Sequence, residues 1–298
     1  GIALALLGAA LINHLTHPVY KGSTTLLVRN ESQNPLGTDA IMPGFSFDRQ
    51  DNIRNDIGIL KSYTLTQQTI ESLNLDITYR VIPQWGNSWR AKILARNIYN
   101  QSPLVVKKNS GINQLKEVPF FVTILSPTHY RLDVDTETEN RPIAMTDTFK
   151  WGEPVEGPGF SFSIEPTEHF SDSIQDKQSP LYKKDYSFTF HDPDKLASEY
   201  RNALEVDFFF NEASILELRL EAPHPGIATD FLNQHTRTFI ENGLQEKNQM
   251  ANATIAFIDQ QIQGISDSLE EAGSEFEQFR SQNRLINISS EGNLAMQK

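Results

Sequence analysis

IAFIDQQIQGISDSLEEAGSEFEQF, residues 255–279, decides how this chain reads. Ile255, Ile258, Ile262, Ile265, Leu269, Ala272, Phe276 and Phe279 follow one another at alternating spacings of three and four. A mean period of 3.5 is the seam that underwound α-helices bury against partner helices. The seam predicts helix packing and oligomerisation through these eight residues. Upstream, nothing interrupts the helical pattern as far back as Pro225, a residue tolerated at a first helical position because its missing N–H would be unpaired there anyway. A helix running from there to Asn283 would be about 85–90 Å long, more than a compact core needs, so the segment is expected to be a projecting rod. Gly243, Gly264 and Gly273 each cost about 1 kcal/mol inside it. They are tolerated best where a neighbouring backbone comes close or the rod bends.

The opposite end of the chain, GIALALLGAALI over 1–12, is apolar and uncharged. Twelve residues are too few to cross a bilayer, which takes about 20, and the segment has no basic start or small-residue cleavage site. With Gly rather than Met at position 1, it is expected to be the end of a transmembrane helix whose earlier residues precede it, closing near His14 to Pro18. A buried apolar helix of a soluble protein is the alternative. His14 and His17, one turn apart, then act as polar anchors at the membrane boundary rather than as a pH or metal site.

The 298 residues carry a net charge of -12, and the longest runs of Lys or Arg are the pairs Lys107–Lys108 and Lys183–Lys184. That balance excludes a nucleic-acid groove as the main partner. The absence of cysteine excludes disulfides, thiolate metal sites and cysteine nucleophiles.

VYKGSTTLLVRN over 19–30 predicts a strand, followed by a polar loop over 31–44. Ile53, Ile57 and Leu60 recur at helical spacing, and Leu65, Ile70 and Leu73 mark a second helix after Ser62. Trp89–Tyr99 is expected to form a short helix burying Ile93, Leu94 and Ile98. From about Val118 to Ala222 the period changes to two, in VPFFVTIL, HYRLDVDTETE, FSFSIEP, YSFTFHD and SILELRLEA, separated by turn residues: half-buried antiparallel strands. PGFSF occurs at both Pro43–Phe47 and Pro158–Phe162, where Pro-Gly makes a turn and Phe-Ser-Phe starts a strand.

Chemistry is sparse. There is no GxxxxGK[ST] or GxGxxG phosphate loop, no GxSxG elbow and no HExxH. Asp133, Asp135, Glu137 and Glu139 share one strand face, where they could hold a cation or act on a glycosidic bond. The solvated face of a strand explains them more simply, since acid and base must oppose each other across a cleft. HDPD at His191–Asp194 reads as a turn capping the helix DKLASEYRNAL rather than as a metal site. Trp85, Trp89 and Trp151 are expected in packing roles rather than as sugar platforms. The residues thus imply no catalytic group, no cofactor and no metal.

Together, several segments resemble one family. An apolar helix running into Pro18-Val19-Tyr20 and a strand, then IRNDIGILKSYTLTQQTIESLNLDITY over 53–79, resembles the N-terminal extracytoplasmic part of the Wzz/Wzc polysaccharide co-polymerases. The segment from Ala222 to Ser289 is similar to that family's long helix, including the Phe257–Gln261 stretch and an FRxxN end at Phe279–Asn283. His224-Pro225 stands where the family often has Asp-Pro.

The resemblance implies an α+β fold. Residues 1–18 end the first transmembrane helix, 19–117 and 199–224 form a membrane-proximal α/β domain, 118–198 is a β-rich insertion, and 225–298 is a long projecting coiled-coil helix. It implies a homo-oligomeric ring in a bacterial inner membrane, projecting into the periplasm, that controls the length or export of a polysaccharide. Its partners would be that polymer, a membrane polymerase or outer-membrane export channel, and the bilayer through the N-terminal helix. Wzc-type members add a cytoplasmic tyrosine autokinase, which concerns a longer parent and not these residues. Two other classes compete: a periplasmic adaptor of an efflux or secretion pump, which would build a β-barrel after the rod, and a membrane-anchored glycan hydrolase using the acidic strand.

Overall fold

The computed structural model describes residues 18–28, 49–82, 95–109, 111–136, 143–175, 184–210 and 214–282. The expectations for 1–17, for the loop over 31–44, for the first PGFSF and for Trp85 and Trp89 lie outside them.

The first core is helices on a sheet. Strands β1 (Tyr20–Leu27), β12 (Ile215–Ala222) and β11 (Glu205–Phe208) pair antiparallel in the order β1-β12-β11. Along β12 the period-2 pattern puts Leu216, Leu218, Leu220 and Ala222 in the core. Helices α1 (Arg49–Leu60) and α2 (Tyr63–Ser72) fulfil the predicted apolar spacings, with Ile53, Leu60, Leu65 and Ile70 buried. Ser62 caps α2, its Oγ accepting the Leu65 N–H at 3.3 Å. Helix α4 (Pro193–Ala203) adds Ala197, and the start of α5 (Pro225–Gln282) adds Ile227, Ala228, Phe231 and Leu232. Here β1 and α5 come so close that a Cβ on Gly22 would lie 3.0 Å from the Cβ of Ala228. Only glycine fits without moving the helix.

The second core is sheet on sheet. Six strands run in the order β3-β2-β10-β5-β6-β7: β3 (Arg96–Asn97), β2 (Ile77–Ile82), β10 (Asp185–Phe190), β5 (Pro119–Ile124), β6 (His129–Thr136) and β7 (Ile143–Lys150). They face three more, β4 (Leu104–Lys108), β9 (Phe160–Pro166) and β8 (Pro154–Gly157), in the order β4-β9-β8. Aromatic rings fill the space between. Phe120 stacks on Phe188 at 5.1 Å and meets Phe160 and Phe162 edge-on at 5.1 and 5.2 Å. The second PGFSF behaves as its residues predict: Gly159 turns the chain at φ +85, and Phe160 and Phe162 are both buried. Helix α3 (Phe170–Ile174) brings Phe170 edge-on to Trp151, a packing tryptophan as expected.

Two readings change. Where Trp89–Tyr99 is described, at its last five residues, it is not α-helical: Arg96–Asn97 is a strand, and Tyr99 opens a single 3₁₀ turn, Tyr99–Gln101. Arg96–Asn97 pairs with Val81 and Arg80, the Ile98 N–H donates to the Tyr79 carbonyl at 3.1 Å, and Asn97 Oδ1 accepts the Tyr99 N–H at 2.9 Å. That local side-chain bond offers the backbone an alternative to a helix. The β-rich part also begins before Val118. β10 has β2 on one side and β5 on the other, so Ile77–Ile82 belongs to the same sheet as the strands that follow Val118.

The chain leaves the first core at Leu75–Ile77 and returns at His191–Asp192, and the His191 N–H donates to the Asp76 carbonyl at 2.8 Å. Polar side chains brace this junction. Lys108 pairs with Asp76, Lys116 Nζ donates to Asp192 Oδ2 at 2.7 Å, and Tyr63 donates to Asp194 Oδ1 at 2.6 Å. Asp192 also caps α4, accepting from the Asp194 N–H at 3.0 Å. The lysine beside it and these N–H groups hold its carboxyl below the usual value. Asp192→Asn keeps an acceptor for the cap but loses the ion pair, and Asp192→Ala loses both. Thermal melting should therefore rank wild type, Asn, then Ala, and an Ala variant as stable as wild type would remove the cap from the account.

Candidate interaction surface

Helix α5 changes character along its length. Up to Thr238 its apolar and polar core residues are buried: Ile227, Ala228, Phe231, Leu232, His235 and Thr238. From Ile240 onward the apolar side chains are exposed. The seam residues Ile255, Ile258, Ile262, Ile265, Leu269, Phe276 and Phe279 show 48–72% of their surface, and Ala272 is exposed as well. A Cβ built on Gly243, Gly264 or Gly273 meets nothing within 4 Å, so close approach within this chain is not what places glycine there.

An exposed helix face of Ile, Leu and Phe is a large unrealised free energy. Burying what these seven large side chains still expose, roughly three fifths of each at about 1.5–3 kcal/mol per whole side chain, would contribute on the order of 6–13 kcal/mol. Association costs about 4–15 kcal/mol, so burial of the seam is of the same order as what an interface must supply. The charge pattern leaves the contact open. Between Ile255 and Phe279 the charged residues are Asp259, Asp267, Glu270, Glu271, Glu275 and Glu277, with no Lys or Arg. At a heptad register set by the seam, Asp259 and Glu275 flank it and the other four carboxylates lie on the outer positions.

The described residues place only part of the acidic strand. Asp133 is half-buried and its Oδ2 accepts from Arg131 Nε at 3.1 Å, while Asp135 is exposed on the same strand. Glu137 and Glu139 lie outside the described residues. Asp133 and Asp135 therefore form a strand surface, and Asp133→Asn with Asp135→Asn should change surface charge while leaving the melting temperature within a degree or two. A drop of ten degrees would mean that Asp133 carries more than a surface pair. His191 sits between Glu117 Oε2 at 3.1 Å and Thr78 Oγ1 at 2.9 Å, a bracing role at the junction. Among the described residues, no group of His, Asp or Glu is arranged to hold a metal ion, and no helix is long and apolar enough to cross a membrane.

Two features escape pattern reading. Phe208, Phe209 and Phe210 are exposed at the end of β11, where periodicity would place at least one of them in a core. His235 is fully buried, although a lone histidine on an apolar helix face carries no sequence signal of its own.

No protein-family model matches the chain. Along its whole length it is similar to part of the "Putative tyrosine-protein kinase EpsB" of Ralstonia solanacearum, at 21% identity over 314 residues that cover 100% of this chain and 40% of that protein. The protein of the same name from Ralstonia nicotianae (strain ATCC BAA-1114 / GMI1000) aligns at 21% over 311 residues, covering 99% and 39%. The chain spans about two fifths of the length of these relatives. Among solved structures, FlgL of Xanthomonas campestris aligns over 57% of the chain at 10% identity with a TM-score of 0.22, too low to indicate a shared fold.

Proposed function

We propose that this chain is the extracytoplasmic part of a polysaccharide co-polymerase, an assembly protein and not itself an enzyme. In this reading it oligomerises as a ring of identical subunits at a bacterial inner membrane and governs the length or export of a capsular, exo- or O-antigen polysaccharide. The observation that carries the reading is the end-to-end similarity to EpsB, in a chain whose own residues resemble the Wzz/Wzc family. The exposed seam of α5 supplies a surface for assembly. The kinase named in those relatives belongs, on this reading, to the larger part of such proteins that this chain does not align with. The N-terminal apolar segment would be the membrane contact, and a polymerase or outer-membrane export channel the further partner.

The test uses the full-length protein in the bacterium that makes it. Deleting the segment that corresponds to this chain should collapse the particle measured by mass photometry in mild detergent and change the polymer length distribution on gels. A particle of wild-type mass with polymer of wild-type length would overturn the proposal.

A further inference from the structure

Within the apolar seat of α5 in the first core lies one buried imidazole. His235 is 0% exposed and ties three helices together. Its Nε2–H donates to the carbonyl of Leu60 at 2.8 Å, the last residue of α1, and its Nδ1 lies 3.0 Å from Thr69 Oγ1 in α2. Its ring stacks on Phe231 at 5.1 Å and 17°, and Phe231 in turn meets Tyr200 of α4 at 4.9 Å. Thr69 has a second contact, 2.8 Å from Oγ1 to the Leu65 carbonyl.

We propose that His235 is a pH-operated latch that holds α5 on α1 and α2 when neutral and releases it on acidification. In the neutral form, which burial favours, Nε2–H donates to Leu60 and Nδ1 accepts the Thr69 hydroxyl proton; the same distances also fit the charged form, in which both ring N–H groups donate and Thr69 gives its proton to Leu65. Protonating Nδ1 makes it a donor, and Thr69 must turn its proton to Leu65 to accept. The contacts survive but a full charge is now buried with no counter-ion.

The groups around the imidazole are uncharged. From α1 it meets a carbonyl, from α2 a hydroxyl, from its own helix a phenyl ring, and behind that ring Tyr200 stays protonated, pushed up to about 12 by burial. Arg54, Lys61, Glu71, Asp194, Lys195, Glu199, Arg201 and Arg237 on these elements are exposed, half-buried Asp230 of α5 acts on Tyr99 and His224, and neither it nor half-buried Asp56 of α1 is among the groups that shift His235. Burial therefore lowers the imidazole's value from 6.5, only partly offset by the Leu60 carbonyl.

The sign follows. Above pH 6.5 neither the seated nor the released form binds the proton, and the latch is fully closed. Below it the released form takes up a proton that the seated form refuses, so the ratio of closed to released falls by up to about tenfold per pH unit until the lowered value is reached.

Hydrogen exchange of the amides from Phe231 to Phe239, corrected for intrinsic rate, measures this in the chain as it stands. Protection should fall steeply between pH 7 and 5.5 in wild type and less steeply in His235→Gln, which keeps a donor for Leu60 but cannot titrate. His224 also has a lowered value, its Nδ1 accepting the Gly226 N–H at 3.1 Å, so the difference between the two proteins isolates His235. Should His235→Gln not fold, NMR titration of His235 in wild type and Thr69→Val decides. The latch requires a midpoint below 6.5 that falls further once the accepting hydroxyl is gone. A midpoint at or above 6.5, or equal slopes in wild type and His235→Gln, would overturn it. The proposal concerns packing in the first core and stands or falls independently of polysaccharide assembly.

Discussion

Phe120→Ala is expected to destabilise the chain by about 3–5 kcal/mol, the cost of removing a fully buried phenyl ring and leaving a cavity. The ring is the hub of the second core, in contact with Phe160 and Phe162 from one sheet and Phe188 and Phe190 from its own. Those neighbours are themselves rings locked edge-on and stacked, so they cannot collapse into the space as flexible side chains would. Whole domains are stable by only about 5–15 kcal/mol, so the variant would sit near the edge of folding. Urea unfolding followed by near-UV circular dichroism gives the number. A loss under 1 kcal/mol would mean that the two sheets do not share this core.

Ile262→Asp combined with Leu269→Asp should do the reverse. Both residues are largely exposed, at 60% and 72%, so the variant chain should unfold at nearly the same urea concentration as wild type. If the seam is an assembly contact, the same pair should abolish association of the full-length protein, because each carboxylate would have to be buried in an apolar interface at a cost of several kcal/mol. Analytical ultracentrifugation in detergent separates the two effects. Intact particles from the double variant would take the seam out of the assembly, whatever the fate of the polymer.

The elements read correctly from sequence are those whose information is local. The helical span of α5 from Pro225, the spacings of Ile53 and Leu60 and of Leu65 and Ile70, the alternation of β12 and the Asp192 cap all follow from residues within one or two turns of each other. What was missed depends on distant pairing. ITYRVI at β2 shows no clean alternation, with Ile77 and Ile82 buried, Thr78, Tyr79 and Val81 partly covered and Arg80 exposed. It becomes a central strand because β10, more than a hundred residues later, pairs with it. Arg96–Asn97 is a strand only because β2 offers an edge. His235 illustrates the same limit, since the Leu60 carbonyl that engages it lies 175 residues away in sequence.

The contact between Asp76 and His191 has a consequence for how such a chain can change. Apart from Tyr99, which packs back against His224 at 5.9 Å, the chain between those two residues departs and comes back through one doorway a single hydrogen bond wide. The helices and strands on the near side are already neighbours across the gap, and closing a loop costs only slowly more as the loop lengthens. The whole sheet-on-sheet portion could therefore have been gained, enlarged or lost in one genetic event. A chain cut after Leu75, the last buried residue of the first core on that side, and rejoined at Asp192 by a few glycines would keep the first core's sheet, its Gly22 and Ala228 contact and its capped α4 in register.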